Sequence, residues 1–313
     1  MKKVPLIILT GPTAVGKTDL SIKIAKCLDA EIISADSMQI YEYMDVGSAK
    51  VTKEEMKGVT HHMIDEVKPD YNFSVSEFQK RADNYIEEII NKGKLPIVTG
   101  GTGLYLNSLI YNMDFAKSNA NDELREKLRL ELEENGIDYM HNKLRELDED
   151  AASRIHKNNT KRVIRALEVC ISGEKMNDFS KDLQFNNKYE PIIIVLNRER
   201  SHLYERINKR VDIMLEKGLV DEVKNLLNMG YSRDLVSMQG IGYKEIIKYL
   251  DGEYTYDEAI EIIKRDSRRY AKRQITWFKR YKEAKWFNLD EYEDFDILEK
   301  DVLSFIENSI KLV

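Results

Sequence analysis

The sequence predicts an α/β fold, a parallel sheet flanked by helices with an all-helical lobe inserted into it, and three observations predict it. The octapeptide GPTAVGKT at residues 11–18 follows the apolar run Val4, Leu6, Ile7, Ile8, Leu9, which is the strand–loop–helix setting of a phosphate-binding loop. Two more short apolar runs, EIISA at 31–35 and LPIVT at 95–99, end in polar or glycine residues with helical stretches between them. That alternation is the pattern of a parallel sheet. From about residue 115 to 189 the texture becomes highly charged and helical, after which PIIIVL at 191–196 returns to a β-branched run too short for a helix. A core of residues 1–114 and 191–313 is therefore expected to bracket a helical domain of residues 115–190.

The first loop defines the ligand class. Gly11 and Gly16 let the backbone turn inward so that successive N–H groups meet one anion, and the helix starting near Lys17 adds the positive end of its dipole. Pro12, Thr13, Ala14 and Val15 complete the loop, Lys17 brings a mobile charge, and Thr18 a hydroxyl able to hold Mg²⁺. The prediction is a P-loop NTPase-like sheet with a phosphate or diphosphate ligand. Kinases, NTPases and transferases that use a non-nucleotide diphosphate share this loop, so the other strand ends must choose among them.

Ligands collect at the C-terminal strand ends of such sheets. The segments ADSMQIY at 35–41 and GGTGLY at 100–105 are therefore expected to face the same cleft as the loop. Asp36 can accept a proton from a substrate, hold Mg²⁺ through water, or cap the next helix. Thr102 brings a hydroxyl to the second glycine-rich turn.

In the inserted lobe, residues 122–134 and 138–150 read as helices with Gly136 as a stop between them. The stretch TKRVIRALEVCISG at 160–173 reads as a capped helix with Lys161, Arg162 and Arg165 at its start. Cations there oppose the helix dipole, so an RNA phosphate or the acidic lobe itself is expected to compensate them. After the fourth strand, Ser201 is expected to cap a helix with Leu203, Ile207, Val211, Met214 and Leu215 on one face, ending at Gly218. On it, Arg206 and Arg210 lie four apart, able either to grip diphosphate oxygens or to make surface pairs. The loop Gln239, Gly240, Ile241, Gly242, Tyr243, Lys244 has two glycines that permit close approach to a ligand. Residues 264–280 hold eight basic residues and one acid, with Tyr270, Trp277, Phe278 and Tyr281 near one helical face. This reads either as a helix with a solvated basic side or as a surface that tracks a nucleic-acid backbone.

Composition sets the remaining bounds. With 313 residues and 42% hydrophobic content the chain can bury a full core. No apolar stretch approaches the roughly 18 residues needed to cross a bilayer, and MKKVPLIILT runs directly into the first strand without a cleavage site, so a cytoplasmic protein is expected with no membrane partner. Cys27 and Cys170 form no disulfide framework or zinc module, and both are expected as buried, inert thiols. The adjacent His61 and His62 are not expected to hold a metal. The net charge of −6 argues mildly against nucleic acid, yet does not exclude a local basic track. The absence of heptads points to a monomer.

Set in order, these segments resemble the bacterial tRNA dimethylallyltransferases, also called tRNA isopentenyltransferases. The resemblance runs nearly end to end, through GPTAVGKT, SADSMQIYEYMDVGSAK from Ser34, HHMIDEV from His61, TGGTGLYLNSLIY from Thr99, RIHKNNTKRVIRALEV from Arg154, RINKRVDIMLEKGLVDEV from Arg206, QGIGYKE from Gln239 and KRQITWFKR from Lys272. One departure is Lys161, where many relatives carry glutamine. The resemblance implies attack by N6 of an adenosine, 3′-adjacent to the anticodon, on C1 of dimethylallyl diphosphate. It implies Asp36 as the base, with Lys17, Thr18, the loop amides and Mg²⁺ on the diphosphate and Arg210 closing over it. By the same resemblance Asp36, Ser37, Met38, Gln39, Thr102, Arg125, Lys161, Arg162, Val163, Ile164, Arg165 and the residues from Gln239 to Lys244 contact the tRNA, whose anticodon stem-loop is clamped between lobe and core. A small-molecule kinase, a nucleotide-driven RNA-binding switch and an enzyme prenylating free adenine nucleotides are the alternatives.

Overall fold

The computed structural model describes residues 3–113, 122–173 and 183–311. Six parallel strands form one sheet, in the order β3-β2-β4-β1-β5-β6. They are β1 (Val4–Thr10), β2 (Ala30–Ser34), β3 (His61–His62), β4 (Leu95–Gly100), β5 (Tyr189–Asn197) and β6 (Lys285–Asn288). The expected α/β parallel sheet is thus present. β3 and β6 add edges that the hydrophobic pattern does not announce.

Alternation sorts the strand side chains onto two faces. Ile7, Leu9, Ile32, Ile97, Ile194 and Leu196 form one cluster with Leu20 and Ile24 of α1 (Lys17–Cys27), Leu203 and Ile207 of α8 (Arg200–Glu216), and Leu298, Val302 and Ile306 of α12 (Phe295–Lys311). Each such side chain, taken fully from water, contributes about 2 kcal/mol. Leu6 and Ile8, equally buried, point to the other face. Strands β4 and β5 are also covered by α3 (Val75–Asn91) and α4 (Gly103–Ile110), which touch them respectively. α3 starts where Ser74 accepts the Glu77 N–H and buries Phe78, Ala82, Ile86 and Ile89 at helical spacing.

The chain divides into two compact units, Met1–Tyr111 with Phe185–Val313, and Asn112–Gln184. In the second, α5 (Asp122–Leu147) is broken at Gly136, whose φ of 82° and ψ of 175° end one helical arm and start the next. Gly136 is the stop that the sequence predicts. α6 (Glu149–Arg154) and α7 (Thr160–Ile171) complete the unit, whose core joins Leu128, Met140, Leu144, Ile155, Val163, Ile164 and Leu167.

Two expectations are corrected. α8 is capped at Glu199, not Ser201, because Asp290 accepts the Glu199 N–H at 2.6 Å and starts the helix early. Cys27 is exposed at the last position of α1, off its buried stripe and 3.8 Å from a Glu299 carboxylate oxygen, whereas Cys170 is half-buried. Among the described residues no helix is long and apolar enough to cross a membrane.

Candidate active site

β1, β2 and β4 end side by side, and the segments that follow them meet. Gly11 and Gly16 take positive φ, and the loop enters α1 at Lys17. The Lys17 ammonium donates to the carbonyls of Gly11 and Pro12, both at 2.9 Å. Burial, with the Arg210 charge adding, pulls this lysine down to about 7, while Asp36 acts in the opposite sense. Arg210, on α8, is lowered by burial and held up by Asp36. Lys17, Arg210 and Asp36 therefore share one electrostatic neighbourhood, where two cations are disfavoured until an anion joins them. Thr18 lies exposed in the first turn of α1, at the dipole end that attracts anions.

Arg206 does something different from gripping an anion. Its Nε donates to the Ala14 carbonyl at 2.9 Å, and the neighbouring Arg198 donates to Val15 O at 3.2 Å while pairing with Asp290 at 2.8 Å. These two guanidinium groups hold the loop from its carbonyl side. Of the two arginines four apart on α8, Arg210 alone is electrostatically tied to Lys17.

Asp36 follows β2 and its Oδ1 accepts the Met38 N–H at 2.9 Å, an Asx turn and not a helix cap. The Ser37 N–H donates to the Thr102 hydroxyl at 3.0 Å, the Thr102 N–H donates to Ala35 O at 3.1 Å, and Gln39 accepts from Ser34 Oγ at 3.1 Å. Thr102 thus fixes the segment that carries Asp36.

α11 (Tyr256–Phe278) covers these loops with an aromatic face. Phe278 is fully buried, and Trp277 and Tyr281 both donate to Asn107, at 3.3 and 2.7 Å. Burial, with the Asp36 charge adding, raises the Tyr270 phenol, and the nearby Thr102 hydroxyl opposes that shift. The other face is exposed at Arg265, Arg269, Lys272 and Arg273, and Lys279 and Arg280 follow. Lys264 is drawn instead to Asp212 and Arg268 to Asn208. The aromatic core face and the solvated basic face therefore coexist on one helix. What the sequence hides is Gln274 between them, buried and bonded to both the first loop and the third.

Several residues expected at an RNA surface are committed elsewhere. Tyr243, at the start of α10 (Tyr243–Leu250), is 0% exposed and donates to Glu222 at 2.7 Å. The same carboxylate, on α9 (Leu219–Asn228), also accepts the N–H groups of Asp45, Val46 and Gly47. Gly240 faces protein and not ligand, since a Cβ there would lie 2.6 Å from Met38 Cε. Gly242 and Tyr243 are buried, Ile241 and Lys244 are half-buried, and Gln239 is exposed with its amide donating to Arg233 O. In the helical unit Val163 and Ile164 belong to the core, while Arg125 Nε sits 3.0 Å from the buried Glu168 and Arg165 is 3.3 Å from it. That carboxylate compensates part of the charge at the start of α7. Lys161 and Arg162 are exposed.

A metal cage built only of side chains is not found: among the described residues no three His, Cys, Asp or Glu groups converge. Mg²⁺ does not need one, since it keeps water and takes one or two protein oxygens together with substrate phosphates. The Thr18 hydroxyl, beside an anion-directed loop, fits that donor set. His62 Nε2 donates to the Glu31 carboxylate at 2.8 Å, and Glu31 also pairs with Lys92 and Lys94.

With this geometry in view the chain can be set against known proteins. The family model described as IPP transferase matches residues 39–281. A tRNA dimethylallyltransferase of Clostridioides difficile is 76% identical over 311 residues, covering 99% of this chain and 100% of that protein. One of Alkaliphilus oremlandii is 57% identical, covering 97% of each. Among solved structures, the full-length tRNA isopentenylpyrophosphate transferase of Bacillus halodurans is 45% identical with a TM-score of 0.74, covering 99% of both chains. A eukaryotic dimethylallyltransferase acting on tRNA is 30% identical with a TM-score of 0.77, covering 92% of this chain and 74% of its own. The chain belongs to the IPP transferase family.

Proposed function

We propose that this chain transfers the dimethylallyl group of dimethylallyl diphosphate to N6 of the adenosine 3′-adjacent to the anticodon in tRNAs, releasing diphosphate. The observation that carries the reading is the meeting of a phosphate-binding loop, an arginine and a carboxylate at one sheet end. Burial lowers both Lys17 and Arg210, a neighbouring arginine lowers each further (Arg210 for Lys17, Arg206 for Arg210), and the charge of Asp36 opposes both shifts, so a diphosphate and a proton acceptor fit the same cleft.

The chemistry requires both. An adenine amine is a poor nucleophile, so its N6–H proton must leave as the N6–C1 bond forms, and Asp36 receives it. The C1–O bond breaks with its electrons going to the diphosphate, whose growing charge is met by Lys17, Arg210 and the amides of the loop. The Thr18 hydroxyl would hold Mg²⁺, which when bound would supply further charge neutralisation to the leaving group. The loop needs no nucleotide hydrolysis for this.

The target base must leave its stack to reach Asp36, and single-stranded loop bases do so at the lowest cost. The anticodon stem-loop is accordingly the substrate element, and the exposed cations of α11 suit its phosphate backbone. The enzyme acts as a monomer in the cytoplasm, where its substrate resides.

The test is to incubate the protein with Mg²⁺, unmodified tRNA and dimethylallyl diphosphate, digest the tRNA and weigh its nucleosides. The expected result is an adenosine heavier by one dimethylallyl group, absent with Asp36→Ala. Unchanged nucleosides with ATP consumed would make the protein a kinase.

A further inference from the structure

Gln274 sits near the C-terminal end of α11 and is 5% exposed. Its Oε1 accepts the Thr13 N–H at 2.9 Å and its Nε2 donates to the Gly101 carbonyl at 2.9 Å. Only one orientation of the amide satisfies both, because one partner is a donor and the other an acceptor. The approach is close enough that a Cβ on Gly101 would lie 2.2 Å from Gln274 Nε2. Glycine at 101 leaves room for this side chain.

Just short of their tips the same two segments are tied by the Thr10 hydroxyl, which donates to the Gly100 carbonyl at 2.7 Å. The sheet register aligns Thr10 with Gly100, one residue short of each loop. Beyond it, Thr13 and Gly101 diverge into different functions: Thr13 lies in the phosphate-binding loop, while Gly101 precedes Thr102, whose hydroxyl accepts the Ser37 N–H beside Asp36. One turn before Gln274, Tyr270 reaches Thr102; almost one turn after, Trp277 packs on Gly103 and donates to Asn107. The bond to Gln274 also takes the Thr13 N–H out of the set of amides that can turn to an anion.

We propose that Gln274 is a positioning residue for group transfer: its amide pins the donor loop at Thr13 and the acceptor-side loop at Gly101, and so sets the spacing between the diphosphate site and Asp36. The inference rests on reading these loops as the donor and acceptor sites. Buried amide bonds that join two backbone segments give a directional constraint that packing alone does not, and an error of about 1 Å between reacting groups costs on the order of a hundredfold in rate.

The same helix supplies its own control. Lys272 and Arg273 stand exposed beside Gln274, so tRNA affinity reports whether α11 is still in place. Gln274→Met keeps the length of the side chain and loses both bonds. It is expected to lower kcat/KM for dimethylallyl diphosphate by about thirtyfold or more, with the Kd for tRNA within about twofold of the unsubstituted protein. Gln274→Glu adds a readout that a packing role would not move. A neutral carboxylic acid still accepts from Thr13 N–H and donates to Gly101 O, whereas a carboxylate repels that carbonyl. Its kcat/KM for the donor, divided by that of the unsubstituted protein at each pH, should therefore rise as pH falls from about 8 to about 5.5.

Donor kinetics unchanged in Gln274→Met would overturn the proposal, as would donor and tRNA affinity falling in proportion or a ratio for Gln274→Glu that stays flat with pH. If the unsubstituted protein itself formed no prenylated adenosine, the reading of the two loops would fail first, and the positioning role with it.

Discussion

The phosphate-binding loop and the outer face of α11 are both cationic, and they handle charge in opposite ways. At the loop, Lys17 is bound to two backbone carbonyls and pulled down to about 7 by burial and by Arg210, and Arg206 and Arg198 are spent on loop carbonyls. On α11, Arg269, Lys272 and Arg273 stand in water. Charges partly withdrawn from water, as Lys17 and Arg210 are, feel a lower dielectric and less salt, so they act strongly on one anion in one place. Exposed charges act weakly, additively and under screening by salt, which suits a long phosphate backbone. The difference assigns chemistry to the first region and affinity to the second.

The largest effect that would break this division is at Asp36, half-buried and electrostatically coupled to Lys17 and Arg210. Asp36→Ala is expected to slow turnover by about a thousandfold, within the range of a lost general base, with tRNA affinity changed by about threefold at most. Filter binding and steady-state kinetics on one preparation decide it, and equal losses in both would remove the distinction.

Next in size is Lys17→Met, expected to lower kcat/KM for the donor by about a hundredfold. A pH signature accompanies it. Free Lys17 sheds its proton above about 7, and an arriving diphosphate pulls that proton back. Donor binding at pH 8 should therefore take up a proton, and affinity should weaken as pH rises above about 7 until the lysine of the complex also titrates. Calorimetry in buffers of different ionisation enthalpy measures the uptake. Lys17→Met should abolish that component.

For the exposed region, Lys272→Ala with Arg273→Ala should weaken tRNA binding by about tenfold near 0.1 M salt and flatten the slope of log affinity against log salt by about 1.5. Turnover at saturating tRNA should hold. An unchanged slope would reassign this face to ordinary solvation.

The smallest effect concerns a residue expected at the RNA surface whose side chain is buried. Tyr243→Phe removes one hydrogen bond to Glu222 and is expected to cost about 1 kcal/mol of stability. Because the side chain is buried, tRNA affinity should stay as it was.

What the sequence made legible was local. The strand–loop–helix around residues 11–18, the strand ends at Asp36 and Thr102 and the helix stop at Gly136 each rest on contiguous residue types, and the structure has them in those forms. β3 and β6 escaped because two and four residues carry no period, and β6 pairs with β5, a strand far back along the chain. The helix start at Glu199 depends on Asp290, and the burial of Tyr243 on Glu222. Gln274 is the extreme case, joined to a loop 261 residues away. A glutamine in a basic, aromatic helix gives no sign of such a partner. The glycines beside Tyr243 suggested an open loop, whereas Gly240 makes room for Met38.

The division between buried and exposed charge is tested most directly by titrating salt against the unsubstituted enzyme in single turnovers. Between about 50 and 300 mM salt, tRNA affinity should fall steeply, on the order of tenfold or more, while the rate constant for prenyl transfer at saturating tRNA and donor changes by less than about twofold. A rate constant that fell along the same slope as the affinity would contradict the account, because the exposed cations would then be acting in the chemical step.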